Sequence, residues 1–535
     1  MAGGRATGLI RRKRRRTDFR LERLGTRQWL QECLMYPLPL RFLFVAIATG
    51  AALSMAGSAS ANLVTLTFEV NPGAYDDLER AAATANQSVF DALVGPCGGG
   101  GCPDDQQAIF NEARELVETA ADILGTGTSQ FSLGLDDEGL GNALRWTAAE
   151  EVLAQGRAAT DFSNGQMTGA TNRITALRYG ARGFSIAGIE GIPTSDLPDF
   201  PEHATLGAAG EEGGGETLAK FGGFLNGSYG WGVHDPTTFE DAFDYESVDI
   251  TLGFDYRVLP GFVVGLIGGY AENEIDFDGS KSIVDGGINA DGFSIGGFGV
   301  YSWSDFYFSG YFSYQRMSFD IDRFITYPSL NPDVTGTNTT TSGETDSNAY
   351  NLAANFGYTY RFGLTEEGFF SGKPLLLEPS IRLEYSQITI DSFTETNDDP
   401  GEYFALAIDE QDIESFEVVL GLRTSAAVST SIGVFFPYVR LEWRFDVLDD
   451  TGESQAQYSG IGLSGVSGFA LTGEEVDTDY GTVAIGLQTI IRGGQSRILG
   501  GPTGDRLSIY GEYRRVLELD NVESEILTAG ARYIF

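Results

Sequence analysis

The stretch FFPYVRLEWRF, Phe435 to Phe445, decides the fold. Phe435, Pro437, Val439, Leu441, Trp443 and Phe445 stand at alternate positions, with Tyr438, Arg440, Glu442 and Arg444 between them. A period of two is the signature of a strand with one apolar and one polar face. A soluble sandwich also alternates. Here the polar face carries Arg and Glu together, and such charges tolerate an enclosed lumen where they can pair.

The pattern recurs on either side of this stretch. Leu375, Leu377, Pro379, Ile381, Leu383 and Tyr385 alternate with Glu378, Ser380, Arg382 and Glu384. Val248, Ile250, Leu252, Phe254 and Tyr256 alternate with Asp249, Thr251, Asp255 and Arg257. Twelve such segments are expected, near 219–231, 243–258, 261–275, 287–301, 304–318, 345–362, 374–392, 411–428, 433–449, 478–492, 505–519 and 523–535. They are long, and aromatics such as Tyr256, Trp303 and Tyr360 lie near their ends, which favours a transmembrane barrel. Connections after the second, fourth and eighth strands are tiny; those after the fifth, seventh and ninth are long, acidic and polar. Short turns on one side and long loops on the other are the rule for outer-membrane barrels. The connections after the sixth, tenth and eleventh fit it less well. Residues 455–470 alternate weakly and are assigned to the loop after strand nine. The fold class expected is mainly β: a C-terminal 12-stranded antiparallel transmembrane β-barrel (219–535) preceded by a small, mainly α-helical domain.

Composition agrees. The 535 residues carry 35 Lys+Arg against 75 Asp+Glu, a formal net charge of −40. That acidity excludes general nucleic-acid binding, which needs basic surfaces. The 42% hydrophobic content excludes wholesale disorder. Glycine, at 71 residues, suits sheets with many close backbone approaches. No apolar run outside the N-terminus is long enough for a spanning helix.

Residues 1–61 read as an export signal. A basic block, Arg11 to Arg16, precedes the apolar stretch Phe42 to Met55 and the small residues Ala59-Ser60-Ala61. Cleavage between Ala61 and Asn62 is expected. Two origins of the long leading run stay open: an extended signal, or initiation at Met35. Removing the segment takes away 11 basic and 3 acidic residues and leaves a net charge of −48.

Residues 62–190 carry helical signals. Ile109, Phe110, Ala113, Leu116, Val117 and Ala120 recur at helical spacing within Asp104 to Leu124. Thr147-Ala-Ala-Glu150 has the form of a capping box opening a second helix to Tyr179, with Gly180 as its C-terminal stop. Gly165 and Gly169 leave its continuity open. Leu63 to Val70 reads as a short strand. Cys97 and Cys102, flanking four glycines, are expected to form a disulfide in an oxidising envelope. Residues 191–218, rich in Pro, Gly and acids, read as a flexible linker.

Motifs for chemistry are weak. Gly292-Phe-Ser-Ile-Gly matches the nucleophile-elbow pattern but falls inside an alternating strand. Gly460-Ile-Gly-Leu-Ser-Gly matches a dinucleotide fingerprint without a following helix. The two histidines, His203 and His234, fall in a linker and a loop. Asp276-Phe-Asp-Gly and Asn397-Asp-Asp-Pro-Gly-Glu read as solvated loops rather than calcium sites. No catalytic, metal or cofactor residue is therefore expected, and the protein is read as no enzyme.

Phe224-Leu-Asn-Gly-Ser-Tyr-Gly-Trp-Gly, Ile250-Thr-Leu-Gly-Phe-Asp-Tyr-Arg, Val264-Gly-Leu-Ile-Gly-Gly-Tyr, Asp291-Gly-Phe-Ser, Pro437-Tyr-Val-Arg-Leu-Glu-Trp and the ending Ala529-Gly-Ala-Arg-Tyr-Ile-Phe together resemble autotransporter β-domains. The resemblance covers roughly 220–535. It implies an outer-membrane location among lipid, handling by periplasmic chaperones, and insertion by barrel-assembly machinery that reads Tyr533 and Phe535. It also implies that a helix before the first strand crosses the pore, with a passenger displayed outside. Residues 142–189 resemble that helical segment, and either the helix or the linker is expected in the lumen. The function expected is anchoring and display of the small helical domain. The alternative is an outer-membrane pore with a periplasmic helical domain.

Overall fold

The computed structural model describes residues 62–178, 183–186 and 221–534, apart from breaks, of which the longer are 364–373, 398–402, 449–451, 460–467, 474–477 and 493–505. The export signal with Ala61, the stop at Gly180, the linker 191–218, His203, the Gly460 motif and Phe535 lie outside the described residues.

Twelve long strands form the barrel: β1 (Phe221–His234), β2 (Phe243–Leu259), β3 (Phe262–Phe277), β4 (Asp285–Trp303), β5 (Phe306–Tyr327), β6 (Thr337–Tyr358), β7 (Pro374–Ile390), β8 (Gln411–Ala426), β9 (Gly433–Asp446), β10 (Asp479–Arg492), β11 (Arg506–Leu517) and β12 (Val522–Ile534). Each pairs antiparallel with the next. The ring shuts where β1 meets β12, from Gly227 opposite Ala529 to His234 opposite Val522. Closure leaves no edge in the apolar band, where an unpaired backbone group would cost several kcal/mol. At the lower end of β1 the partner is different: Gly183–Ile186 runs parallel to Gly222–Leu225.

The expected face assignment holds. Leu266 and Ile295 point outward and are 70% and 63% exposed, as lipid-facing residues must be, whereas Glu378, Glu384, Glu442 and Arg444 are buried inside. Tight turns join β2 to β3 and β4 to β5 at one end. Gly261 has φ +84, and a Cβ there would strike the Ser302 carbonyl oxygen, so this turn requires glycine. The opposite end carries the two longest connections, after β7 and β9, while those after β6 and β10 lengthen the first end. Within the two longest, Phe393–Thr394, Leu406–Ile408, Ser454–Tyr458 and Phe469–Leu471 form a separate four-stranded sheet. The weakly alternating 455–470 stretch thus contributes to this sheet and does not span.

The N-terminal part is helical: α1 (Asn62–Val64, continued by a π-helical turn, Thr65–Val70), α2 (Asp77–Cys97), α3 (Asp104–Ile123), α4 (Asp137–Ala148) and α5 (Ala154–Arg178). Two local expectations are corrected. Leu63 to Val70 is helix, not strand, because Leu63 and Leu66 share one face and are fully buried against the other helices. Thr147 is not an N-cap. It lies in the last turn of α4 and its hydroxyl donates to the Leu144 carbonyl. The capping box is at α2, where Asp76 accepts from the Glu79 amide and Glu79 accepts from the Asp76 amide. The chain breaks instead at Ala149, a non-glycine residue at φ 58, before the turn Glu150–Leu153.

Candidate functional site

The barrel lumen is occupied by α5. Apolar residues on one side of this helix, Met167, Ala170, Ile174 and Leu177, join a buried cluster with Phe224, Val263, Ile267, Phe298 and Tyr311 from the wall. Around them run polar contacts to several strands. The Arg173 guanidinium donates to Asp255 of β2 at 2.8 Å, and both side chains are buried. Arg178 donates to Glu378 of β7 at 2.6 Å and lies over the Tyr307 ring. Ser163 donates to Gln315 of β5 at 2.9 Å. Gln166 accepts from Ser294 of β4 at 3.0 Å. The nucleophile-elbow serine is therefore a wall residue that holds the helix.

Gly165 and Gly169 do not interrupt α5. They let it approach β2: a Cβ at Gly165 would lie 2.7 Å from an Asp249 carboxylate oxygen, and one at Gly169 would lie 2.9 Å from the Thr251 hydroxyl. Glycine costs helix stability in an exposed position, and here close packing offsets that cost.

The opposite wall is charged. Arg382 pairs with Glu384 and Glu442, Arg444 with Glu384 and Glu417, and Arg440 with Glu512. The inward charges thus pair along the wall: within β7, between neighbouring β8 and β9, and across one intervening strand from β7 to β9 and from β9 to β11. Between this wall and α5 remains a cavity of about 130 Å³, bordered by Asp161, Asn172, Asp249 and Arg514 among others. It has room for a few waters and none for a folded chain.

Orientation follows from the contacts. The C-terminal Arg178 of α5 reaches Thr359 and Glu378, at the short-turn end. Near the N-terminal end Arg157 reaches Tyr245, three residues into β2 from the other end. Residues 62–153 therefore sit at the long-loop end, and the chain crosses the lumen before β1 begins at the short-turn end.

At the long-loop end the helices meet the loops through buried polar groups. Arg145 pairs with Glu150 at 2.9 Å, Asp76 at 3.0 Å and Asp241 at 3.3 Å. Tyr458 donates to Asn86, and the Leu330 amide donates to the Leu133 carbonyl at 2.7 Å. Arg323 and Glu395 form an ion pair at 2.7 Å with neither side chain exposed. Burial pushes the nearby Glu151 carboxyl up to about 7, against the pull of Arg323. Both Glu151 carboxylate oxygens are buried and lack a hydrogen-bond partner.

Cys97 and Cys102 are disulfide-bonded, with Cα atoms 5.0 Å apart, in the α2–α3 connection. Asn62 opens α1. Tyr533, near the end of β12, lies opposite Leu507 of β11. These three places are remote from one another in the fold. His234 stacks on Phe243 at 4.7 Å beside Glu240. The Asn397 side chain accepts the Phe404 and Ala405 amides, so it caps a loop. Among the described residues no group of three His, Cys, Asp or Glu is placed to hold a metal ion, and no helix is long and apolar enough to cross a membrane. Sequence reasoning missed Gln166, Arg173 and Arg145. Little local marks them: apart from the Arg145–Glu150 pair, the partners named are 69 to 128 residues away.

A closed antiparallel barrel with a lipid-compatible exterior and a helix through its lumen defines an outer-membrane β-barrel protein. A family model, the autotransporter β-domain, matches residues 223–497, about half of the chain, and the chain belongs to that family. Residues 62–222, with all five helices, precede the match. Among solved structures the chain is similar to the translocator domain of the autotransporter NalP from Neisseria meningitidis, at 14% identity and TM-score 0.39, covering 59% of this chain and 88% of that one. It is similar to the transport unit of the autotransporter AIDA-I from Escherichia coli, at 14% identity and TM-score 0.38, covering 60% and 92%. It is also similar to the β-domain of the Bordetella autotransporter BrkA, at 16% identity and TM-score 0.33, covering 59% and 100%. No curated protein matches the chain.

Proposed function

We propose that this outer-membrane autotransporter holds residues 62–153 on the cell surface, tethered by α5 through its own barrel, and does so without catalytic turnover. The observation that carries the reading is the course of α5. It leads from the helices at the long-loop end down to β1 at the short-turn end, and long loops are external in such barrels. A chain laid out this way has its N-terminal part outside and both ends of its barrel in the periplasm. On this reading the signal is cut between Ala61 and Asn62, periplasmic chaperones escort the chain, and the barrel-assembly machinery recognises the end of β12 with Tyr533 and Phe535. The reading assigns no cofactor and no nucleic-acid partner.

The test is protease shaving of intact cells carrying an epitope inserted near Gly99, with a periplasmic protein as leakage control. Loss of the epitope from intact cells is expected. Protection in intact cells with loss after permeabilisation would place the helices in the periplasm and favour a pore.

A further inference from the structure

The outer face of several barrel strands changes polarity part-way along. On β5 the outer face reads Phe306, Phe308, Phe312 and then Arg316, Ser318, Asp320, Asp322. Its inner face reads Tyr307, Ser309, Tyr311, Ser313, Gln315 and then Met317, Phe319, Ile321, Arg323, Ile325, Tyr327, with Arg323 paired to Glu395. The change falls near Tyr314. On β3 the outer face turns from Val264, Leu266 and Tyr270 to Glu272, Glu274 and Asp276, while the inner face stays mainly apolar, from Val263 and Ile267 to Ala271, Ile275 and Phe277 around Asn273. On β6 the outer face passes from Leu352 and Tyr350 to Asn348, Asp346 and Glu344.

Below the change the sheet is built for lipid outside, with a mixed inner wall that holds α5. Above it the sheet is built like that of a water-soluble domain. β5 and β6 each run 22 residues, about twice what a membrane crossing needs. The upper inner faces of β3, β5 and β7 are mainly apolar, and left open to water they would cost about 25 cal/mol for every Å². They are not left wet. Phe319, Ile321, Ile325, Ile388 and Ile390 are all at most 2% exposed, in one continuous core with Leu63, Leu93, Phe110 and Leu116 of the helices and Phe404 and Leu406 of the loop sheet.

We infer that residues 62–153 are a resident cap and not a releasable passenger: they supply half the core of a soluble domain whose other half is the upper barrel wall. Such a cap closes the lumen at its long-loop end and stays seated when its covalent link is cut. The inference rests on the reading above only for the side of the membrane that the cap faces; its seating is the same on either side.

The experiment cuts the link. A site-specific protease site is inserted in the 125–130 connection of the full-length protein, which is purified in detergent and nicked. Cleavage frees α1–α3 from every covalent attachment, since the disulfide lies within that fragment. The fragment is expected to co-elute with the barrel through high salt and to leave only when the barrel is denatured. Elution of the fragment as a separate species in native buffer would overturn the inference. Hydrogen exchange on the uncut, unmodified protein gives a second measurement that needs no insertion. Amides of α2 and α3 are expected to be protected as strongly as those of Phe319 to Ile325 and to lose protection together with them. Rapid exchange in α2 and α3 under a protected barrel would overturn it equally. Epitope shaving reports the membrane side independently, so failure of the cap and failure of surface display are separable results.

Discussion

At the residue scale, the upper wall on which the cap sits turns on a few buried charges. Arg323 and Glu395 are fully buried and bonded twice, at 2.7 and 2.9 Å. Breaking one side of such a pair leaves an uncompensated charge, which costs about 3–5 kcal/mol. R323M is therefore expected to lower the unfolding midpoint of the cap markedly, with R323M/E395L recovering most of the loss; equal loss in both variants would show that the pair matters through packing alone. Glu151 gives this region a pH dependence. Its carboxyl titrates at about 7 when folded, against an ordinary value of 4.5. Between those values the folded state holds a proton that the unfolded state has released. Stability therefore falls as pH rises from about 4.5 to about 7, by on the order of 3 kcal/mol, and is flat above. Denaturant titrations across that range should show the slope in the native protein and a shallower one in E151Q; an unchanged slope in the variant would assign it to another group.

At the element scale, α5 is held by its glycines as much as by its charges. Leucine at Gly165 would collide with Asp249, and overpacking of this kind costs about 1–3 kcal/mol. G165L is expected to reduce the yield of heat-resistant folded barrel, whereas N172A, on the cavity side, should leave it unchanged; indifference to G165L would argue against the seated helix. The strands were legible in the sequence because each writes its own two-residue period, and FFPYVRLEWRF shows its lipid face and its lumen face without reference to any neighbour. Helix α3 was legible for the same reason at its own period. What escaped were features set by distant partners. Helix α2, with its Asp76 and Glu79 capping box and alanine-rich face, has a weak apolar stripe. Leu63 to Val70 reads equally as strand until its helical face is seen against α2 and α3. The break at Ala149 follows from the Arg145–Glu150 pairing and not from the T-x-x-E pattern beside it. The elements that fill the lumen and the mouth are the ones whose residues answer to a wall more than 60 positions away.

At the scale of the whole molecule, three layers follow from one chain. A lipid-facing band gives way to a soluble upper wall, and the helices complete that wall from inside. The lumen is thus closed twice, by α5 along its length and by the cap at its long-loop end. The cavity left beside α5 measures about 130 Å³ among the described residues. The most direct measurement is single-channel conductance of the intact, purified protein in a planar bilayer. The predicted result is a baseline without a steady open state, and large openings only in a variant lacking residues 142–218. A persistently open pore in the intact protein would contradict the occupied lumen and the seated cap together.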